Sequence, residues 1–70
     1  MPRLLERKTL EQGGTVTVDV GDVRSTEMHL QLVALAVEHN GRVVFKLPLR
    51  RDQMARLRAA GGDHVIFMSL

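Results

Sequence analysis

Three groups of side chains in this 70-residue sequence could carry chemistry: the histidines, a run of arginines, and the polar residues near the chain end. The histidines are His29, His39 and His64. Metal ligands usually come at tight spacing such as H-x3-H, and these three do not. His64, Asp63 and Ser69 make a base, an acid and a hydroxyl on paper. Three residues on one short strand cannot converge as a nucleophilic triad must. Gly13-Gly14 precedes a strand-like stretch and no helix, and Gly61-Gly62 follows a helical one. A phosphate-binding loop needs strand, glycines and then helix, so neither pair reads as one. The residues therefore predict no catalytic group, no metal site and no cofactor, and hence a non-enzymatic protein.

The arginines are more suggestive. Arg50, Arg51, Arg56 and Arg58 crowd one short stretch, and eight of the ten basic residues are arginine. Arginine favours bidentate contact with carboxylate or phosphate. Two arginines at a helix start oppose the helix dipole, so an anion could sit there on the first-turn amides. These four residues are the expected contact for an acidic protein partner or, alternatively, for nucleic acid. Charge is uneven along the chain. Residues 1 to 41 hold four basic and six acidic residues, net −2; residues 42 to 70 hold six basic and two acidic, net +4. No helix-turn-helix, zinc-finger or RNA-binding signature accompanies the basic half. Only two aromatics are present, Phe45 and Phe67, which counts against base stacking on single strands.

The elements that position these residues follow from apolar spacing. Thr15 to Val20 alternates valine with polar residues and reads as a half-buried strand. Met28 to Leu49 holds most of the apolar mass and reads as a β-hairpin turning at Asn40-Gly41, since a two-residue type I′ turn needs the positive φ that Asn-Gly accepts. Such a hairpin places Leu32, Ala34, Ala36, Val43, Phe45 and Leu47 on one face. Val33, Leu35, Val37 and Val44 lie on the other. The competing reading is a helix from about residue 27 to 39, started at Ser25 or Thr26 and ended at Asn40-Gly41. Its apolar residues would spread right round the axis, and an all-round apolar helix needs a larger protein to bury it. Pro48 suggests that the hairpin's second strand ends at an edge or bulge.

Arg51 to Ala60 reads as a helix with Met54 and Leu57 as a narrow apolar stripe, Gly61 as its stop, and Asp52 and Arg56 spaced to pair. The last segment reads as a strand with Ile66, Met68 and Leu70 facing one way and Val65 and Phe67 the other. Both faces are apolar, so it should be covered on both sides. Residues 1 to 12 read as an N-terminal arm or a short helix.

The expected fold is a single α+β domain. A small antiparallel sheet with strands at about 15–20, 28–38, 42–48 and 64–70 carries one helix, at about 51–60, on one face. A chain this short buries only about 60% of its unfolded surface, and with no cysteine it has no disulfide to add stability. Association is the remaining route. The apolar set Val33, Leu35, Val37 and Val44 is the expected self-association surface, making the protein a homo-oligomeric interaction or regulatory module. The absence of cysteine, of a secretory signal and of a membrane-length apolar run predicts a cytoplasmic protein with no membrane contact.

Overall fold

The longest element is a helix at the position read as the first strand of a hairpin. A computed structural model, which describes residues 2–69, runs α1 (Leu4–Glu11), β1 (Thr15–Val18), α2 (Thr26–His39), β2 (Arg42–Lys46), α3 (Arg51–Gly61), a 3-10 turn (Gly62–His64) and β3 (Val65–Met68). The strands stand in the order β1-β2-β3, and both pairings are parallel. The expected antiparallel sheet with a single helix is thus corrected: among the described residues the sheet is parallel and has three strands, and three α-helices accompany it. Leu70, expected in the last strand, lies outside the described residues.

Two local signals favour the helix over the hairpin at 26–39. Ser25 caps its start, with Oγ accepting from the Met28 amide at 3.3 Å. Asn40 ends it in the left-handed region at φ 59°. A type I′ turn would need positive φ at both Asn40 and Gly41, but Gly41 is not among the positive-φ residues. The objection that an all-round apolar helix cannot be buried in a small chain is met by α2's position. It lies on the sheet and packs against α1 and α3, so Leu32, Val33 and Ala36 are fully enclosed.

Parallel strands need crossovers, and helices α2 and α3 supply them. Right-handed crossovers taken in sequence order leave both connecting helices on one face of the sheet. Val16, Val18, Val43, Phe45 and Val65 carry that face and join Leu10, Leu32, Val33, Ala36 and Leu57 in one core. Phe45, 1% exposed, meets the edge of the His29 ring at 5.5 Å and the Phe67 ring at 6.2 Å. β2 is the central strand, and Pro48 lies beyond its end, so the proline marks no edge.

The β1–α2 loop is fixed by ions. Arg24 donates from Nη1 to Glu6 Oε1 at 2.6 Å and from Nη2 to Glu6 Oε2 at 2.9 Å, while also holding Asp22 at 2.6 Å. Both carboxylates are largely buried, and α1 is thereby tied to the loop. Among the described residues no helix is long and apolar enough to cross a membrane.

Candidate docking face

All three helices sit over one face of the sheet, so side-chain alternation assigns the other face. Thr15 and Thr17 of β1, Arg42, Val44 and Lys46 of β2, and Ile66 and Met68 of β3 point away from the core. The register sorts them into rows across the strands. The middle row is Thr17, Val44 and Ile66. The row at the strand starts is Thr15 and Arg42, and the row at the strand ends is Lys46 and Met68. Asp19 joins the end row through a 3.2 Å contact with Lys46 Nζ. Val44 is only 7% exposed because its strand neighbours wall it in, yet it belongs to no core cluster. Ile66 at 36% and Met68 at 48% stand in solvent. A parallel sheet is normally covered on both faces, and here one is bare.

At the strand starts the bare face runs into a polar cleft of about 500 Å³ lined by Gly13, Thr15, Asn40, Arg42, Asp63 and His64. His64 Nδ1 lies 2.8 Å from the Gly41 carbonyl. A carbonyl only accepts, so Nδ1 carries the proton and Nε2 is the bare nitrogen of the neutral ring. Arg42 has no ion-pair partner among the described residues. The C-termini of α1, α2 and α3 all end on this side, because each leads into the start of a strand.

The sequence-predicted sites fall elsewhere. The four residues expected to form an association surface are separated. Val33 is fully buried in the core, Leu35 lines a groove of about 280 Å³ between α1 and α2, Val37 is exposed on α2, and Val44 is on the far side of the sheet. Their common face existed only in the hairpin. The four arginines are likewise divided. Arg50 lies 3.6 Å from Asp52, and Arg51 is exposed at the start of α3. Arg56 reaches Glu27 at 3.2 Å, where Asp52 had been its expected partner. Arg58 donates from Nη1 to the carbonyls of Gly62 at 3.0 Å and Val65 at 2.9 Å, and its guanidinium lies 5.1 Å from the centre of the Phe67 ring. It therefore shields part of β3, an edge strand. The histidines are dispersed: His29 is buried with Nε2 3.3 Å from Asp22 Oδ1, His39 lies beside Glu38, and His64 lines the cleft. Among the described residues no three His, Cys, Asp or Glu side chains gather as metal ligands would.

Sequence reasoning missed two features. One is the Glu6–Arg24–Asp22 network, for which residues 6, 22 and 24 give no signal by spacing. The other is the bare face itself. Ile66 and Met68 share a side by their spacing, but a hairpin reading of 28–49 does not place Val44 beside them, as the parallel register does.

The chain matches no protein-family model, no curated protein and no solved structure.

Proposed function

We propose that the chain is a non-enzymatic interaction module that engages a macromolecule through the bare face of its sheet. One observation carries this: a parallel sheet with helices on one side presents Thr17, Ile66 and Met68 to solvent on the other, around a nearly buried Val44. An exposed apolar strip rimmed by charge is the usual mark of an interaction surface, and Arg42, Lys46 and Asp19 supply that rim. Two kinds of occupant suit such a face: a second copy of this chain, making a homo-oligomer, or a different protein. The absence of cysteine agrees with a cytoplasmic setting. Binding through Arg50, Arg51, Arg56 and Arg58 gains no support, since Arg56 and Arg58 already have partners.

The test is affinity capture from an extract of the source cells, with the wild type beside Ile66→Glu. Species retained by the wild type and lost with the variant support the reading. Equal retention by both sinks it.

A further inference from the structure

The sheet has two edge strands, β1 and β3, and the ladder fixes which backbone groups each turns outward. The Arg42 amide donates to the Gly14 carbonyl at 3.1 Å, with Arg42 opposite Thr15 in the register. Successive residues of a strand turn their backbone groups to opposite sides, so Val16 and Val18 face β2 while Thr15 and Thr17 turn amide and carbonyl outward. On β3 the Met68 carbonyl accepts from the Leu47 amide at 2.9 Å, so Val65 and Phe67 face out. That edge is guarded: Arg58 donates to the Val65 carbonyl at 2.9 Å and lies over the Phe67 ring. The β1 edge has no guard. Thr-Val-Thr-Val holds no charge and no proline, and its register runs without a bulge. Among the described residues nothing bonds the outward groups of Thr15 and Thr17. An edge left in this state is a template for another strand.

The helix layer leaves room for that strand. Helix α2 packs over β2 and α1 over β1. Packed helices stand about 8–10 Å apart and strands about 4.8 Å, so α1 overhangs β1 by about 4 Å. The space below the overhang is the place of a fourth strand. A recess of about 230 Å³ opens there, lined by Arg3 before α1, Thr17 of β1, and Asp19, Gly21 and Asp22 of the loop. Arg3 stands on the helix side of the sheet and Thr17 points to the other, so only the open edge brings them together. The flank of α1 above this edge carries Leu5. Arg7 lines the groove between α1 and α2, and Leu5, about 200° round the helix from it, faces the opposite way. Leu5 is 77% exposed.

The overhang also selects the occupant. An antiparallel pair of β1 strands from two copies needs a two-fold axis perpendicular to the sheet, which keeps both helix layers on one side. Each α1 overhangs toward the other, so their axes would come within about 6 Å, less than packed helices allow. A second copy is thereby kept from this edge, whereas a lone extended segment carries no helix to collide.

We propose that the β1 edge takes up one extended segment of a partner protein as a fourth strand, hydrogen-bonded to Thr15 and Thr17. Alternate residues of the segment are apolar and lie under Leu5 of α1; those between them lie beside the Thr15 and Thr17 side chains. Such strand addition draws affinity from main-chain hydrogen bonds and specificity from alternate side chains. The edge is separate from the bare face, and this inference does not rest on that face being occupied.

The experiment selects random linear peptides of about ten residues, enough for one strand, by display on the immobilised full chain. Enriched peptides are titrated calorimetrically against the wild type, Thr17→Pro, Leu5→Lys and Ile66→Glu, with folding checked by circular dichroism. Thr17→Pro deletes an outward donor and no bond to β2, since proline is tolerated where a strand's amide faces solvent. Leu5→Lys alters only an exposed helix flank, so it stays informative if the proline variant fails to fold. The expected result is apolar residues at a two-residue period, with binding about ten-fold weaker in Thr17→Pro and in Leu5→Lys and unchanged in Ile66→Glu. Amide hydrogen exchange reads the edge directly. Thr17 should exchange freely in the unliganded chain and slow by about ten-fold or more once the peptide is bound. Peptides weakened by Ile66→Glu alone would overturn the edge while leaving the bare face standing. Peptides indifferent to Thr17→Pro and Leu5→Lys, a selection that enriches nothing, or a Thr17 amide already protected in the free chain would each overturn it. A dimer in light scattering that Thr17→Pro dissociates would overturn the partner segment in favour of a second copy.

Discussion

Arg24 is the residue on which the β1–α2 loop depends, because one guanidinium satisfies two carboxylates from different elements. It holds the Asp22 carboxyl well below its usual range and lowers that of Glu6 as well, mainly through direct hydrogen bonds opposed by partial burial. Both groups have folded pKa values depressed below their unfolded values. Their stabilisation is therefore complete only above a pH of about 5 and is lost progressively as pH falls through the unfolded values toward the folded ones. The urea midpoint should stay level near neutrality and drop on acidification. Arg24→Gln should cost about 3 kcal/mol at neutral pH, since it leaves two enclosed carboxylates without their cation, and should abolish that acid-sensitive component. A midpoint unchanged from the wild type would refute the role. Gly41 is required for a different reason. A Cβ there would lie 2.7 Å from the Gly14 carbonyl oxygen and 3.2 Å from Leu10 Cδ2. Gly41→Ala should therefore destabilise by about 1–3 kcal/mol in urea unfolding, the range for forcing atoms into a packed site. The Asn-Gly pair was legible as a chain reversal. Its actual division of labour, Asn40 as helix cap and Gly41 as a contact with backbone, depends on what packs beside it.

At the scale of elements, α2 decides the fold. Thr26 to His39 has no clean apolar stripe, and Leu30, Leu32, Val33, Leu35 and Val37 spread round its axis. The sheet beneath and α1 and α3 at its flanks bury most of that circumference. Val33 and Val37 make the test. In a hairpin they would share one face and respond alike. On α2 one is fully buried and the other 45% exposed. Val33→Ala should cost about 2 kcal/mol, as removal of buried methyl groups does, and Val37→Ala less than about 0.5 kcal/mol. Equal effects in urea unfolding would contradict the helix. The strands and α3 were easier to place, since Val16 and Val18 alternate with threonine and α3 ends at glycine. Strand direction was not legible. An extended segment has the same alternation whether its neighbour runs parallel or antiparallel, and only the nature of the connection decides.

For the molecule as a whole, the determining fact is one-sidedness. Its Cα radius of gyration is 10.7 Å, close to the roughly 11 Å expected for a compact chain of this length. Among the described residues the helices contribute one layer and the sheet another, and none forms a third. The double variant Ile66→Lys, Met68→Lys should therefore leave the unfolding free energy within about 0.5 kcal/mol of wild type, as solvent-facing substitutions do. A large loss in the unliganded chain would mean that the face is already covered.

The sequence by itself determined where the chain turns and which short segments are extended. Glycine, asparagine and alternating valine act locally, through backbone sterics and the two-residue period of a strand. Ser25 and Asn40 allow a helix to start and stop around Thr26 to His39, but tertiary structure decided between helix and hairpin, because an all-round apolar segment takes whichever form its neighbours can bury. The same decision made the sheet parallel, dispersed the residues expected to form one surface, and left Val44, Ile66 and Met68 on a face that no part of the described chain covers.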